Sequence, residues 1–182
     1  MIRFLADTLF ITDAAINIFP DLDAKRDIVQ NAIDLFTQIG LGTPRVGILS
    51  AVETVTAKIP STIDAAALCK MADRDQITGG IVDGPLAFDN AVSPQAAEIK
   101  GIKSAVAGHA QILVVPDLEA GNMLAKNLIF LSKADAAGIV LGARVPIVLT
   151  SRADSVRSRM ASCAVAVLYA HARRTNAPLP AA

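Results

Sequence analysis

The chain has 182 residues, 53% apolar, 19% charged and 4% aromatic, with seventeen basic residues against seventeen acidic ones. A chain of this length buries roughly 70% of the surface of its unfolded form, so one core needs neither a disulfide nor a metal, and the even charge removes the electrostatic footprint of a nucleic-acid binder. The mean hydropathy of +0.47 comes from Ala, Val, Ile and Leu interrupted by Asp, Gly, Pro and Lys. No run reaches the roughly 18 apolar residues of a membrane span, so a cytoplasmic protein without nucleic-acid or membrane partners is expected.

In chain order, the opening MIRFLADTLF meets Asp7 too early for the apolar stretch of a signal peptide. A first short apolar run, residues 9–12, reads as a buried strand. Residues 23–39 carry Ile28, Ala32, Leu35, Phe36 and Ile39 at helical spacing and stop at Gly40. A second strand is expected at 46–49. A helix follows over 62–71, with Ser61 as N-cap and Asp64 close to the position a capping box needs. Strand-like runs recur at 79–82, 112–115, 138–141 and 147–149. Pro94 opens a helix where its missing N–H costs nothing, and helices at 119–131 and 155–173 complete the set. Six strands alternating with helices predict an α/β fold with a mainly parallel sheet covered on both faces. Residues 1–150 form the expected α/β domain, 151–176 a C-terminal helix, and 177–182 a flexible tail. Between 161 and 170 that helix has no charged residue, so it expects cover from another domain or a second subunit, and a homodimer is anticipated.

Ligands of open α/β sheets gather where strands end and helices begin. Three junctions stand out: Asp83-Gly84-Pro85-Leu86-Ala87-Phe88-Asp89, Pro116-Asp117-Leu118-Glu119-Ala120-Gly121-Asn122, and Thr150-Ser151-Arg152-Ala153-Asp154-Ser155. Each also reads as ordinary capping and turn chemistry. The third brings a hydroxyl, a guanidinium and a carboxylate to one helix N-terminus, a combination suited to phosphate or to a developing oxyanion. Charge is uneven in the same sense: residues 151–174 hold five Arg against Asp154 alone. No glycine-rich nucleotide fingerprint is present, and neither His109 nor His171 partners a serine nucleophile. Cys69 and Cys163 have no metal-ligand spacing and read as buried thiols; no metal site is expected.

With Thr12-Asp13-Ala14-Ala15-Ile16-Asn17, these motifs make the chain resemble the phosphate acetyltransferases and phosphate butyryltransferases over nearly its whole length. The wording of the second and fourth motifs is similar to the butyryl branch and to transferase segments fused behind enoyl-CoA hydratase modules. The resemblance implies the fold shared with isocitrate and isopropylmalate dehydrogenases. It also implies reversible acyl transfer between coenzyme A and inorganic phosphate, with coenzyme A as substrate and no other cofactor. It assigns Ser151 as oxyanion donor and Arg152 as anion binder. The acetyl branch's carboxylate base falls at Ser158 here, which leaves Asp154 as the substitute, and a family arginine falls near Phe130, for which Arg144 is the candidate replacement. Asp83, Asp117 and Asn122 complete the expected substrate-binding set. Family members carry a further α/β domain ahead of the region matched, so a non-catalytic fragment or binding module is the alternative, and a metal-dependent NAD(P) dehydrogenase of related fold a weaker one. Acyl chain length, the base, and activity of the chain alone stay open.

Overall fold

The computed structural model describes residues 8–175; the expected tail at 177–182 lies outside them, as does the start of the opening segment. Its elements run β1 (Phe10–Thr12), α1 (Leu22–Gln38), β2 (Arg45–Leu49), α2 (Pro60–Asp73), β3 (Ile81–Leu86), α3 (Phe88–Val92), α4 (Pro94–Ile99), β4 (Ile112–Val114), α5 (Leu118–Phe130), β5 (Ile139–Val140), β6 (Ile147–Val148) and α6 (Val156–Thr175). β1 to β4 form one parallel sheet in the order β1-β4-β2-β3. None of the described helices is long and apolar enough to cross a membrane.

The two faces of the sheet are written into β4. Side chains alternate along a strand, and here Ile112 and Val114 enter a core with Val29, Ile33 and Phe36 of α1 and Leu68 of α2. Leu113 and the following Val115 enter the opposite core with Leu86, Ala91 of α3 and Ala97 of α4. Helices therefore cover both faces, and an all-apolar run is what a central strand of such a sheet requires. Phe10 of β1 closes the first core edge-on against the Phe36 ring, 5.3 Å between centroids. α1 starts one residue earlier than its pattern predicts because Asp21 caps it, its carboxylate accepting the Ala24 N–H at 2.8 Å. Pro94 opens α4 as expected, with Ser93 accepting the Ala96 N–H.

Four expectations are corrected. The six-stranded sheet is four-stranded: β5 and β6 leave it and pair with each other, antiparallel, Ile139 opposite Val148. Only a short turn joins them, and a parallel pair would need a crossover of a dozen residues or more. β3 begins later than 79–82 and runs on through Asp83, which sits inside the strand opposite Gly47. Ser61 does not cap α2, whose N-cap is Ile59 without a side-chain bond; instead Ser61 Oγ pairs with Ser50 Oγ at 2.8 Å. Asp64 is drawn to the Lys25 ammonium at 2.6 Å, a lysine whose side chain keeps only 7% of its exposure. Cys163 is exposed rather than buried, and Cys69 is partly buried.

α6 rests on α1 and the β5–β6 hairpin. Tyr169 packs with Leu35 and Ile39 and against Ile139 and Leu141, while Ser162 Oγ accepts the Gly138 N–H at 2.9 Å and donates to the Ser158 carbonyl. The opposite face of the helix stays exposed, with Met160 and Val167 each keeping about two-thirds of their surface.

Candidate functional site

At the carboxyl edge of the parallel sheet, the loops after β1 and β4 are locked together. The Asp13 carboxylate accepts the N–H groups of Ala15, Ile16 and Asn17 at 2.8 to 3.0 Å and the Asn17 side-chain amide at 2.7 Å. Burial alone would raise its pKa, but these donors outweigh burial and hold it below the usual carboxylate value. Gly121, in the first turn of α5, lets this loop approach: a Cβ there would lie 2.7 Å from the Asp13 carbonyl oxygen. Asn122 donates to the Ala14 carbonyl at 3.2 Å, and Asp117 caps α5 through the Ala120 N–H at 2.9 Å. The structure thus joins the first and third sequence motifs, with Asn122 bonding across that junction and Asp117 capping the helix that carries it.

Beside it, a cavity of about 330 Å³ opens between the ends of β2 and β4 and the flank of α5, lined by Leu49, Ser50, Phe88, Val115, Pro116 and Leu124 among others. It is an apolar slot with one hydroxyl at its wall. Asp83 lies lower in β3, where its carboxylate accepts the Gly84 N–H at 2.8 Å. The Cys69 thiol behind it contacts the Gly84 carbonyl, and burial, with the Asp83 and Asp73 charges, pushes that thiol up to about 12.

A cluster that sequence reasoning missed joins the loop after β2 to α3 and the end of α4. Glu53 accepts a short hydrogen bond from the Asn90 side-chain amide and pairs with the Lys100 ammonium at 2.7 Å, which also reaches Asp89 at 3.0 Å. The Lys100 hydrogen bond is the main cause holding both carboxylates below their ordinary values. Asn90 is fully buried, and among the described residues its side-chain amide oxygen has no hydrogen-bond partner. The available signal was position: the segment after the 46–49 run is one more strand-end junction, of the same kind as the four motifs.

The fourth motif is built differently. α6 starts at Val156, and Ser155 Oγ accepts the Ser158 N–H at 3.1 Å as a capping serine does. Ser151 and Arg152 therefore lie in a turn ahead of the helix. Asp154 closes that turn by accepting the Ser151 N–H at 2.6 Å, and Ser151 Oγ accepts the Ala153 N–H at 3.3 Å. Ser151 and Arg152 are exposed, and among the described residues Arg152 has no ion pair. No hydrogen bond among those residues joins this turn to Asp83, Asp117 or Asn122. Arg144 lies apart again, on the rim of a cavity with Arg173 and Arg174. A free guanidinium beside a hydroxyl on a fixed turn can take a phosphate or an oxyanion.

Comparison with known proteins agrees along the chain. A family described as phosphate acetyl/butaryl transferase matches residues 1–167. A phosphate acetyltransferase of Rhizobium meliloti is 83% identical over 92% of this chain and 53% of its own length. A probable phosphate butyryltransferase of Bacillus subtilis is 51% identical over 87% of the chain and 53% of its own. Among solved structures, a branched-chain phosphotransacylase from Enterococcus faecalis superposes with a TM-score of 0.81 at 37% identity, covering 88% of this chain and 58% of that one. The chain spans about half the length of the curated relatives it matches.

Proposed function

The chain belongs to the phosphate acetyl/butyryl transferase family, and from that premise we propose that it supplies the anion-binding part of an acyltransferase that moves an acetyl or butyryl group between coenzyme A and inorganic phosphate. The observation that carries the reading is the turn at 151–154, which is closed by the Asp154 carboxylate on the Ser151 N–H and carries on the same few residues a hydroxyl, a carboxylate and a guanidinium that has no ion pair among the described residues. The 83% identity to a phosphate acetyltransferase supports acetyl as the acyl group, against the butyryl leaning of the motif wording.

In the reaction a phosphate oxygen attacks the thioester carbonyl, the carbonyl oxygen takes up negative charge, and the carbon–sulfur bond breaks to release acyl phosphate and the thiolate of coenzyme A. Arg152 holds the phosphate dianion, whose charge would otherwise be repelled by the developing oxyanion. Ser151 donates its hydroxyl to that oxyanion. Asp154 keeps one carboxylate oxygen on the Ser151 N–H and has the other for the thiol proton, as base toward acyl-CoA and as acid in reverse. Asp117 and Asn122 act by shaping the carboxyl edge, Asp83 by holding the Gly84 N–H within β3, and Arg144 adds positive potential at a distance. The protein works in the cytoplasm as a homodimer, with the exposed face of α6 covered by the second copy; sedimentation at micromolar concentration tests this, and a clean monomer refutes it.

The test is thiol release from acetyl-CoA and butyryl-CoA with phosphate or arsenate. Arg152→Ala and Ser151→Ala should each lose about 10²- to 10³-fold in rate with the fold intact, because an exposed arginine contributes little stability. Asp154→Asn should slow the coenzyme-A-thiol direction most near neutral pH, where a carboxylate is ionised and the thiol still holds its proton, and least at acid pH, where the carboxylate is protonated in the parent as well. Near-normal activity of Arg152→Ala refutes the assignment. The alternative reading is a fragment that binds without turning over; an inactive wild-type chain that gains activity when the half of the relatives it does not span is supplied decides for it.

A further inference from the structure

The apolar slot at the carboxyl edge of the sheet has walls that restrict what it can hold. Two of the segments that carry the family resemblance meet there: Phe88 comes from the Asp83 to Asp89 motif, and Pro116 and Ala120 come from the Pro116 to Asn122 motif. Buried Leu49 and Val115 form its floor, while exposed Ala51 and Phe88 stand at its mouth. Among the described residues that line it, Ser50 alone has a polar side chain, and that hydroxyl already pairs with Ser61 Oγ at 2.8 Å. The backbone adds little. The N–H groups of Ser50, Val115 and Ala120 donate to the Leu86 carbonyl, the Thr12 carbonyl and the Asp117 carboxylate, and Pro116 has no N–H to offer. The mouth is also fixed in shape: Glu53, just past Ala51, accepts a hydrogen bond from the side chain of Asn90, just past Phe88, which ties its two segments together.

A ligand that brings amides, hydroxyls or phosphates into such a slot leaves them unpaired and away from water, which is costly. That sets aside the nucleotide and the pantetheine arm of coenzyme A, both of which carry polar groups along their length, and leaves hydrocarbon. A methyl group is about the size of a water, which takes about 30 Å³ in the liquid, so an acetyl group would leave most of the 330 Å³ empty. We propose that the slot takes the hydrocarbon chain of the acyl group, with room for butyryl as well as acetyl, and that Ala120 sets the length accepted, its methyl standing where a larger side chain would fill the space. This assignment rests on the acyl-transfer reading above and adds to it the part of the molecule that measures the substrate.

The experiment is isothermal titration calorimetry of the 182-residue chain with acetyl-CoA, butyryl-CoA and free coenzyme A. Each methylene moved from water into an apolar site contributes about 0.8 kcal/mol, so the two that butyryl adds should tighten binding about fifteenfold over acetyl-CoA. Ala120→Leu should bring that ratio below about threefold by filling the space the added methylenes need, with free coenzyme A binding as in the parent. Met123→Ala, at an exposed position on the same helix, should leave the ratio unchanged. Circular dichroism checks that the fold is kept; an unfolded Ala120→Leu is replaced by Ala51→Leu, at the exposed mouth, with the same expected direction. Equal affinity for acetyl-CoA and butyryl-CoA, or a ratio that survives substitution in a folded variant, overturns the slot as the acyl site. An equal loss of free coenzyme A binding in Ala120→Leu puts the pantetheine arm there and overturns it as well. If free coenzyme A binds and the acyl preference is missing, the slot assignment alone fails; if none of the three binds, the acyl-transfer reading fails with it.

Discussion

Replacing Gly121 by alanine sets two effects of opposite sign against each other. Inside an exposed helix, glycine to alanine gains about 1 kcal/mol of helix propensity. Here the added methyl would lie 2.7 Å from the Asp13 carbonyl oxygen, 2.7 Å from Val115 Cγ2 and 3.0 Å from Ala14 Cα. Two of those three atoms are backbone, held by the hydrogen bonds of the Asp13 loop, so no rotamer change relieves the overlap. Overpacking of this kind costs about 1 to 3 kcal/mol, and the backbone contacts place it at the upper end, for a net loss of about 2 kcal/mol. In a domain of this size that lowers Tm by about 4 to 8 °C. Urea and thermal unfolding followed by circular dichroism measure it, and the loop shift should also release the Asn122 contact to Ala14. A variant more stable than the parent, by the propensity increment, would refute the close approach of α5 to the loop after β1.

Three further outcomes are expected. Asp64→Ala strands the buried Lys25 ammonium and should cost about 2 to 3 kcal/mol, less than for a fully buried pair because Asp64 keeps contact with water; Lys25→Met in the same background should recover most of it, and additive losses would refute the pairing. Glu53 and Asp89 are held below their ordinary values chiefly by Lys100, so their contribution is present above those values and is lost as pH falls through the lowered ones; unfolding midpoints followed downward from pH 4.5, the ordinary glutamate value, should fall less steeply in Lys100→Met, and identical slopes would refute the link. Iodoacetamide at pH 8 should label exposed Cys163 and spare Cys69, whose thiol is pushed up to about 12; mass spectrometry of the labelled peptides reads the ratio, and equal labelling would contradict the burial of Cys69.

What could be read in the sequence divides by range. The run at 112–115 was legible as a buried strand because both its faces are apolar, and Asp117 as a cap because a cap is a local bond. An apolar run reports that something covers it, though not what. Residues 147–149 have the composition of a buried strand, yet Ile147 and Val148 remain partly exposed in a hairpin outside the sheet. Ser61 and Asp64 fit a helix start by spacing, but partners far along the chain, Ser50 and Lys25, take both side chains. Glu53, Asn90 and Lys100 meet only after β2 and β3 pair, so no local pattern marks them. The Ser151 and Arg152 turn stood out by its residue types at a strand end, while the roles of the two residues came from the resemblance to a family, because the turn's bonds are confined to the turn itself.

The place of β4 between β1 and β2 has a consequence for synthesis on the ribosome. Phe10 pairs with Ile112 and Val46 with that same residue, so the first strand has no neighbour in the sheet until about a hundred further residues have been made. Closing so long a loop is entropically costly before any contact repays it. A nascent chain can dock β2 with β3 and fold α1 and α2 early, but β1 must wait with its edge open, exposed to pairing with other chains. Translation pauses before residue 112 should therefore prolong the interval in which this protein needs a chaperone, and pauses after 115 should not.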